Sequence, residues 1–215
     1  MNYAHLGRTG LKVSRLCLGT MNFGPYTEEK DAFAILDRAL DAGVNFIDTA
    51  NVYGGADHRG WTEEILGRWF AQGGGRREKT VLATKVYGDM ADPHDGPNAG
   101  RGLSAWKIRR HLEASLERLQ TDHVDLYQMH HVDRSVSWEE LWGVFEPLVA
   151  QGSIDYVGSS NFAGWHLAQA QAAAAKRNFL GLVSEQHKYN LLCRLPELEV
   201  LPASLAMGIG VIPWS

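Results

Sequence analysis

Two cysteines, Cys17 and Cys193, are too few for a disulfide scaffold, and both sit beside apolar residues. They read as reduced packing residues of a cytoplasmic protein. No charge of one sign dominates, since 21 Lys+Arg stand against 25 Asp+Glu for a net charge of −4. A mildly acidic chain has no electrostatic reason to seek nucleic acid or anionic lipid. The one tight basic pair between turns, Arg76-Arg77, reads as a solvated loop. No stretch approaches the roughly 18 consecutive apolar residues of a membrane span. The start, Met1-Asn2-Tyr3-Ala4-His5, lacks the charged-then-apolar layout of a signal peptide. Low-complexity tracts and long Pro/Gly linkers are missing too, so residues 1–215 read as a single domain. Phosphate-cradling glycine motifs are also absent. Neither GxGxxG nor GxxxxGK[ST] occurs, and Gly73-Gly74-Gly75 follows a helical segment rather than a strand.

What is present is a repeated unit, a short apolar run followed by a turn and an amphipathic segment. The runs are 15–21, 45–50, 80–85, 124–130, 154–159, 182–186 and 210–215. Most are continuously apolar, as parallel strands buried on both faces are. Helix signals lie between them. Thr27 reads as a cap ahead of Phe33, Leu36 and Leu40, and Thr62 precedes Ile65 and Leu66. Ser104 precedes Ile108 and Leu112, and Ser137 with Glu140 reads as a capping box. Residues 165–176 are Ala-rich, and Pro202 marks a first turn or a kink in the last helix. Gly7-Arg8-Thr9-Gly10 between two short extended runs reads as a hairpin. The longest irregular stretch, 86–103, is of a length that is usually functional or disordered. Seven strands alternating with six helices predict an α/β fold with a parallel sheet. An open doubly wound sheet wants the missing glycine fingerprint. An eight-stranded barrel instead predicts reactive side chains at the C-terminal ends of successive strands.

The strand ends fit the barrel. The second run ends in Asp48, with Tyr53 five residues on; the third ends in Lys85 and the fourth in His130. The fifth ends in Ser159-Ser160-Asn161, the sixth in Glu185-Gln186 and the seventh in Trp214-Ser215. Singly each has a plain reading: a helix cap, a loop aromatic, a surface amine, a core histidine. Together at one end of consecutive strands they read as a shared site. A phenol, with a reference pKa of about 10, becomes an efficient proton donor beside a cation. Lys85 suits that role, and Asp48 would hold its ammonium. His130 could donate a hydrogen bond to a substrate oxygen. The set polarises a carbonyl and protonates its oxygen, and a nicotinamide hydride would complete the chemistry. Ser160, Asn161 and Gln186 suit a carboxamide, and Trp214 offers a face for ring stacking. A lyase with Lys85 as Schiff-base nucleophile needs a neutral amine, which the adjacent Asp48 opposes. A metal site on His130, His131 and Asp133 lacks a ligand motif, and no metal is expected. Alternation along a strand sends His130 and His131 to opposite sides, with His131 still able to touch substrate from the rim. Trp61, Tyr87, Met90 and Trp106 lie near rim loops as candidate pocket walls.

The sequence resembles the aldo-keto reductase family from Leu6 to Ser215. The resemblance is carried by Gly43-Val-Asn-Phe-Ile-Asp48-Thr-Ala-Asn-Val-Tyr53-Gly with Glu63-Glu64-Ile-Leu-Gly67, and by Asp125-Leu-Tyr-Gln-Met-His130. Gly158-Ser-Ser160-Asn161-Phe162 and Gly210-Val-Ile-Pro-Trp214-Ser215 add to it. It is closer to the bacterial and channel-subunit branches than to the mammalian aldose-reductase branch. The resemblance implies a (β/α)8 TIM barrel with an N-terminal β-hairpin, here given through strand seven. It implies a catalytic tetrad of Asp48, Tyr53, Lys85 and His130, with Tyr53 as general acid and His130 orienting a small-molecule carbonyl, aldehyde or ketone. It implies NADPH as cofactor, with NADH left open. Gly19, Thr20, Met21, Asp48, Ser160, Asn161, Gln186, Trp214 and Ser215 would line the nicotinamide half of its site. The alternative is an NADPH-binding, redox-sensing regulatory subunit, which often lacks the histidine present here as His130. The family continues past the seventh strand with an eighth strand and further helices, so a C-terminal part is expected beyond Ser215.

Overall fold

The chain begins with an antiparallel hairpin, β1 (Tyr3–His5) and β2 (Lys12–Ser14), in a computed structural model that describes all of residues 1–215. Seven parallel strands follow and lie side by side in chain order. They are β3 (Cys17–Gly19), β4 (Phe46–Asp48), β5 (Val81–Val86), β6 (Val124–Met129), β7 (Ile154–Ser160), β8 (Leu182–Lys188) and β9 (Gly210–Trp214). Each crossover carries a helix: α1 (Glu29–Asp41), α2 (Trp61–Phe70), α3 (Ala105–Leu119), α4 (Trp138–Ala150), α5 (Gly164–Ala175) and α6 (Val200–Met207). The sheet curls far enough for Gln186 of β8 to hydrogen-bond Asp48 of β4. This is (β/α)8-type architecture through seven strands, with β3 and β9 at the two edges of the sheet.

Strand periodicity sorts the side chains into two compartments. Ile47, Leu82, Tyr127 and Val157 face the helices in a core of 31 buried residues. Phe46, Val81, Ala83, Leu126, Val183 and Ile212 face the barrel interior, where Leu6 and Val13 join them from the hairpin side. The hairpin therefore plugs the N-terminal end of the barrel. Its turn lies tight against the strands: a Cβ at Gly7, whose φ is +58°, would sit 2.5 Å from the Gly208 carbonyl oxygen. One step up the same alternation, the interior positions are Asp48, Lys85 and Gln128. The apolar floor and the polar layer above it both follow from a period of two.

The helix starts partly follow the expected caps. Ser104 Oγ accepts from Lys107 N at 3.2 Å, and Ser137 Oγ accepts from Glu140 N at 3.1 Å. The Ser137–Glu140 box is one-sided, because the Glu140 carboxylate instead accepts from Ala105 N at 2.8 Å, the first residue of α3. Thr27 does not cap α1; Glu28 holds that position and makes no side-chain cap bond. Thr62 lies inside α2, its hydroxyl turned to the Phe23 carbonyl at 2.9 Å. Pro202 sits in the first turn of α6, where a proline nitrogen has no intrahelical partner to lose.

Two loops are more ordered than composition suggests. Residues 87–103 fold around a 3₁₀ turn, Pro93–Asn98, and are pinned from α3. The buried Asp95 accepts from Arg110 at 2.8 Å and pairs with His111 at 3.0 Å. The Lys107 ammonium reaches the carbonyls of Ala99 and Gly100 at 3.2 and 2.5 Å. The Arg76-Arg77 pair is not a solvated loop. Arg76 binds Asp37, and Arg77 binds Asp125 at 2.9 Å and the Thr80 and His123 carbonyls, tying the loop before β5 to β6.

Candidate functional site

At the C-terminal end of the strands lies a cavity of about 610 Å³. Asp48 reaches its wall from the end of β4, Tyr53 from the loop after β4, and His130 from just past β6. Lys85 lies beneath, fully buried in β5. Its Nζ donates to Asp48 Oδ2 at 2.6 Å, to the Thr49 carbonyl at 2.9 Å and to Tyr53 Oη at 3.0 Å. It also lies 4.7 Å from the centre of the Tyr53 ring. The other Asp48 oxygen accepts from Gln128 Nε2 at 2.9 Å and from Gln186 Nε2 at 2.8 Å. The carboxylate is thus held from β5, β6 and β8 at once.

The electrostatics follow from that enclosure. Burial works against the Lys85 charge, but Asp48 and the Tyr53 phenol outweigh it and hold the ammonium above its ordinary pKa. Burial, helped by the Lys85 charge and by His131, pushes His130 down to about 3, so its ring is neutral at physiological pH. The Tyr53 and His130 rings meet edge to face, 5.9 Å apart.

The nine residues read as a nicotinamide site all border this cavity: Gly19, Thr20, Met21 and Asp48 on one side, and Ser160, Asn161, Gln186, Trp214 and Ser215 on the other. They differ in what they leave free. The Thr20 hydroxyl is fully buried and donates to the Asp48 carbonyl at 2.9 Å. Gln186 Nε2 is taken by Asp48. Asn161, in a left-handed turn with φ of +60°, directs Nδ2 to the His130 carbonyl and to Ser160 Oγ. Oδ1 of Asn161 and Oε1 of Gln186 remain as acceptors. A Cβ at Gly19 would meet no atom within 4 Å, so the backbone there borders open space.

Several expectations need correction. His130 and His131 do not face opposite sides. β6 ends at Met129, and beyond it the two rings stack nearly parallel, 5.2 Å apart, both on the cavity. Of the four candidate wall residues, Tyr87 borders a recess next to the histidines. Met90 lies instead near Arg110 and His111, Trp106 stacks on Arg110, and Trp61 packs on the main core. Gln128 is a site residue that the strand-end pattern misses. Its signal is an amide between Tyr127 and Met129 in a strand that is otherwise apolar from Leu126 on. Glu185, named with Gln186 at the end of the sixth run, is fully buried and supports the site from behind: it accepts from Ser159 Oγ and Phe162 N on either side of the Ser160-Asn161 turn. No helix is long and apolar enough to cross a membrane.

With this geometry in view, comparison with known proteins is specific. The model of the Aldo/keto reductase family matches residues 15–215. The chain is 66% identical over 215 residues to the uncharacterized oxidoreductase YrpG of Bacillus subtilis, covering all of this chain and 66% of that protein. It is 32% identical over 234 residues to versiconal hemiacetal acetate reductase of Aspergillus parasiticus, covering all of this chain and 67% of that protein. It is 36% identical over 217 residues to a probable voltage-gated potassium channel subunit beta of Arabidopsis thaliana, covering all of this chain and 63% of that protein. The chain spans about two thirds of the length of these relatives. A match over nearly the whole chain, on a parallel barrel with its polar layer at the C-terminal strand ends, establishes that the chain belongs to the aldo/keto reductase family.

Proposed function

We propose that the protein is an NAD(P)H-dependent oxidoreductase that reduces a small aldehyde or ketone to an alcohol, with NADPH as the natural cofactor. One observation carries the reading. An ammonium has three N–H donors, and those of Lys85 go to Asp48, Thr49 and Tyr53. The Tyr53 oxygen is therefore an acceptor within the protein, and its own proton is left for a molecule in the cavity it lines.

The residues then divide the work. Tyr53 gives its proton to the carbonyl oxygen, and the phenolate left behind lies against the Lys85 charge. Asp48 keeps that charge in place and is itself held by two glutamine amides. His130, neutral by burial, offers a ring N–H to the same carbonyl oxygen and so orients it. Ser160, Asn161 and Gln186 would hold the carboxamide of the cofactor, with Asn161 Oδ1 and Gln186 Oε1 as acceptors. Trp214, 39% exposed, and the open backbone at Gly19 would border its ring. When bound, the reduced nicotinamide supplies the hydride that the carbonyl carbon takes. Hydride and proton together account for the alcohol.

The test is turnover of excess benzaldehyde by the full-length protein with NADPH deuterated at C4. The expected result is many equivalents of benzyl alcohol carrying deuterium at the carbinol carbon. Failure to turn over aromatic and aliphatic aldehydes with either NADPH or NADH would overturn the reading in favour of a cofactor-holding regulatory role.

A further inference from the structure

The cavity holding Tyr53 and His130 adjoins a second recess of about 360 Å³, with His130 and His131 lining both. A recess of that size takes a small organic group. It lies where the remainder of a substrate would extend if its carbonyl rested against Tyr53 and His130. Its charges are unequal. Arg59 donates to the Asp89 carbonyl and lies 3.4 Å from the Asp89 carboxylate, so these two charges offset each other. Arg101, on the same wall, has no ion pair or hydrogen bond within the chain. The acid nearest its backbone, Asp133 beside Gly102, commits its oxygens to Leu103 N and to Ser135. His131 adds no second positive charge: burial, and then Arg101 itself, hold its ring below the ordinary histidine pKa. The recess therefore carries one guanidinium without an ion pair next to two neutral imidazoles and the Tyr87 phenol, which packs on His131 at 5.2 Å.

We propose that this recess is a subsite for an oxyanion on the substrate, so that the carbonyl compounds reduced here bear a carboxylate or phosphate bound by Arg101. The proposal rests on the reductase reading above. A guanidinium fork matches either oxyanion in bidentate fashion. In open water such a pair is worth little. A substrate that fills the recess excludes that water, and the same pair then strengthens. His131 stands between the two ends of such a substrate, stacked on His130 and able to donate a neutral hydrogen bond to it.

The experiment compares matched substrates on the full-length protein: 4-carboxybenzaldehyde against 4-carbamoylbenzaldehyde, and glycolaldehyde phosphate against glycolaldehyde. The expected result is a preference of roughly tenfold or more in kcat/KM for the anionic member of at least one pair, expressed in KM and falling as salt rises. The pair that shows it separates carboxylate from phosphate recognition. Arg101→Gln should reduce that ratio toward one, and Arg101→Lys should keep part of it. Equal kcat/KM for charged and neutral members in both pairs would overturn the proposal, as would a preference untouched by Arg101→Gln.

A second measurement does not depend on turnover. Calorimetry should show 4-carboxybenzyl alcohol binding the wild-type protein, with and without NADPH, more tightly than 4-carbamoylbenzyl alcohol does, and Arg101→Gln should abolish the difference. If no aldehyde is reduced but this difference is present, the reductase reading fails and the anion subsite stands. If aldehydes are reduced, the difference is absent and neither substrate pair shows an anionic preference, the subsite fails and the reductase reading stands.

Discussion

Two buried acid–base pairs lie on opposite sides of the same sheet, and they do different things. Inside the barrel, Asp48 and Lys85 pair at 2.6 Å. Outside it, between α2 and α3, Glu63 and Arg118 pair at 2.8 Å. Each acid is further held from the sheet, Asp48 by Gln128 of β6 and Gln186 of β8, and Glu63 by Thr84 of β5 at 2.5 Å. The difference lies in where the base sends its remaining donors. Arg118 turns back to Ser115 of its own helix, so the network is closed. Lys85 turns to Tyr53, which stands on a cavity, so the network ends in a group that can act on something else. A buried ion pair by itself says nothing about catalysis; the third partner decides.

This contrast is broken most sharply by removing the third partner. Tyr53→Phe should lower aldehyde reduction by about 10²–10⁴-fold while leaving NADPH affinity and Tm close to wild type, as read by steady-state kinetics, fluorescence titration and thermal melts. Near-normal turnover would mean that Tyr53 is not the proton donor. The closed pair should behave in the opposite way. Glu63→Ala leaves the Arg118 guanidinium partly buried without its partner, a change that costs about 3–5 kcal/mol. Tm should fall by roughly 6–20 °C at about 2–4 °C per kcal/mol for a chain of this size, with kcat of the folded fraction nearly unchanged. A large kcat loss at unchanged Tm would show that the outer pair also serves the site. Gly158→Ala tests the join between floor and site. Its Cβ would lie 2.4 Å from Ser184 Oγ and 3.0 Å from Gln128 Cγ. Overpacking of about 1–3 kcal/mol, with a modest fall in kcat as Gln128 shifts under Asp48, is the expected result. A variant identical to wild type in both would show that the barrel interior relaxes there at no cost.

How much of the molecule is legible in its sequence depends on whether a residue stands in a regular element. Asp48 and Lys85 are readable because a charged residue that ends an apolar run is seldom there for packing, and the alternation then puts both inside the barrel. Gln128 obeys the same alternation but sits mid-run, where an amide reads as a satisfied strand residue. Its partner Asp48 is 80 positions away and not visible locally. His131 departs from its expected side because the period of two does not extend past the end of β6; beyond Met129 the backbone leaves the pleat and both imidazoles turn to the cavity. Glu140 satisfies a local capping pattern, but α3 packs close enough for its free N-terminal amide to take the carboxylate. The loop 87–103 gives no periodic signal at all, since its order comes from α3, through Lys107, Arg110 and His111. The recess beside the histidines depends on that loop for Tyr87 and Arg101, and so cannot be drawn from sequence.

The smallest expected effect concerns pH and separates the inner network from the outer one without disrupting either. His130 is held neutral down to about pH 3 by burial and by Lys85, whereas in the unfolded chain it takes up a proton near pH 6.5. Between those values the unfolded state binds the extra proton, so stability falls as pH falls. The contribution is fully present above about 6.5 and is lost progressively toward 3. The outer pair contains no histidine. Tm of the wild-type protein should therefore decline more between about pH 7 and pH 5 than that of His130→Gln, which lacks the titrating ring at the same place. Glu63→Gln, although less stable throughout, keeps His130 and should keep the part of the slope that His130→Gln loses. On the activity side, His130 stays neutral across this range, so kcat should show no titration attributable to it between about pH 5 and pH 8. Equal Tm slopes for wild type and His130→Gln would mean that the folded protein takes up the imidazole proton at the same pH as the unfolded chain. In that case His130 would become a cation toward about pH 5, and its role as a neutral donor to the substrate oxygen would hold only at the upper end of the range.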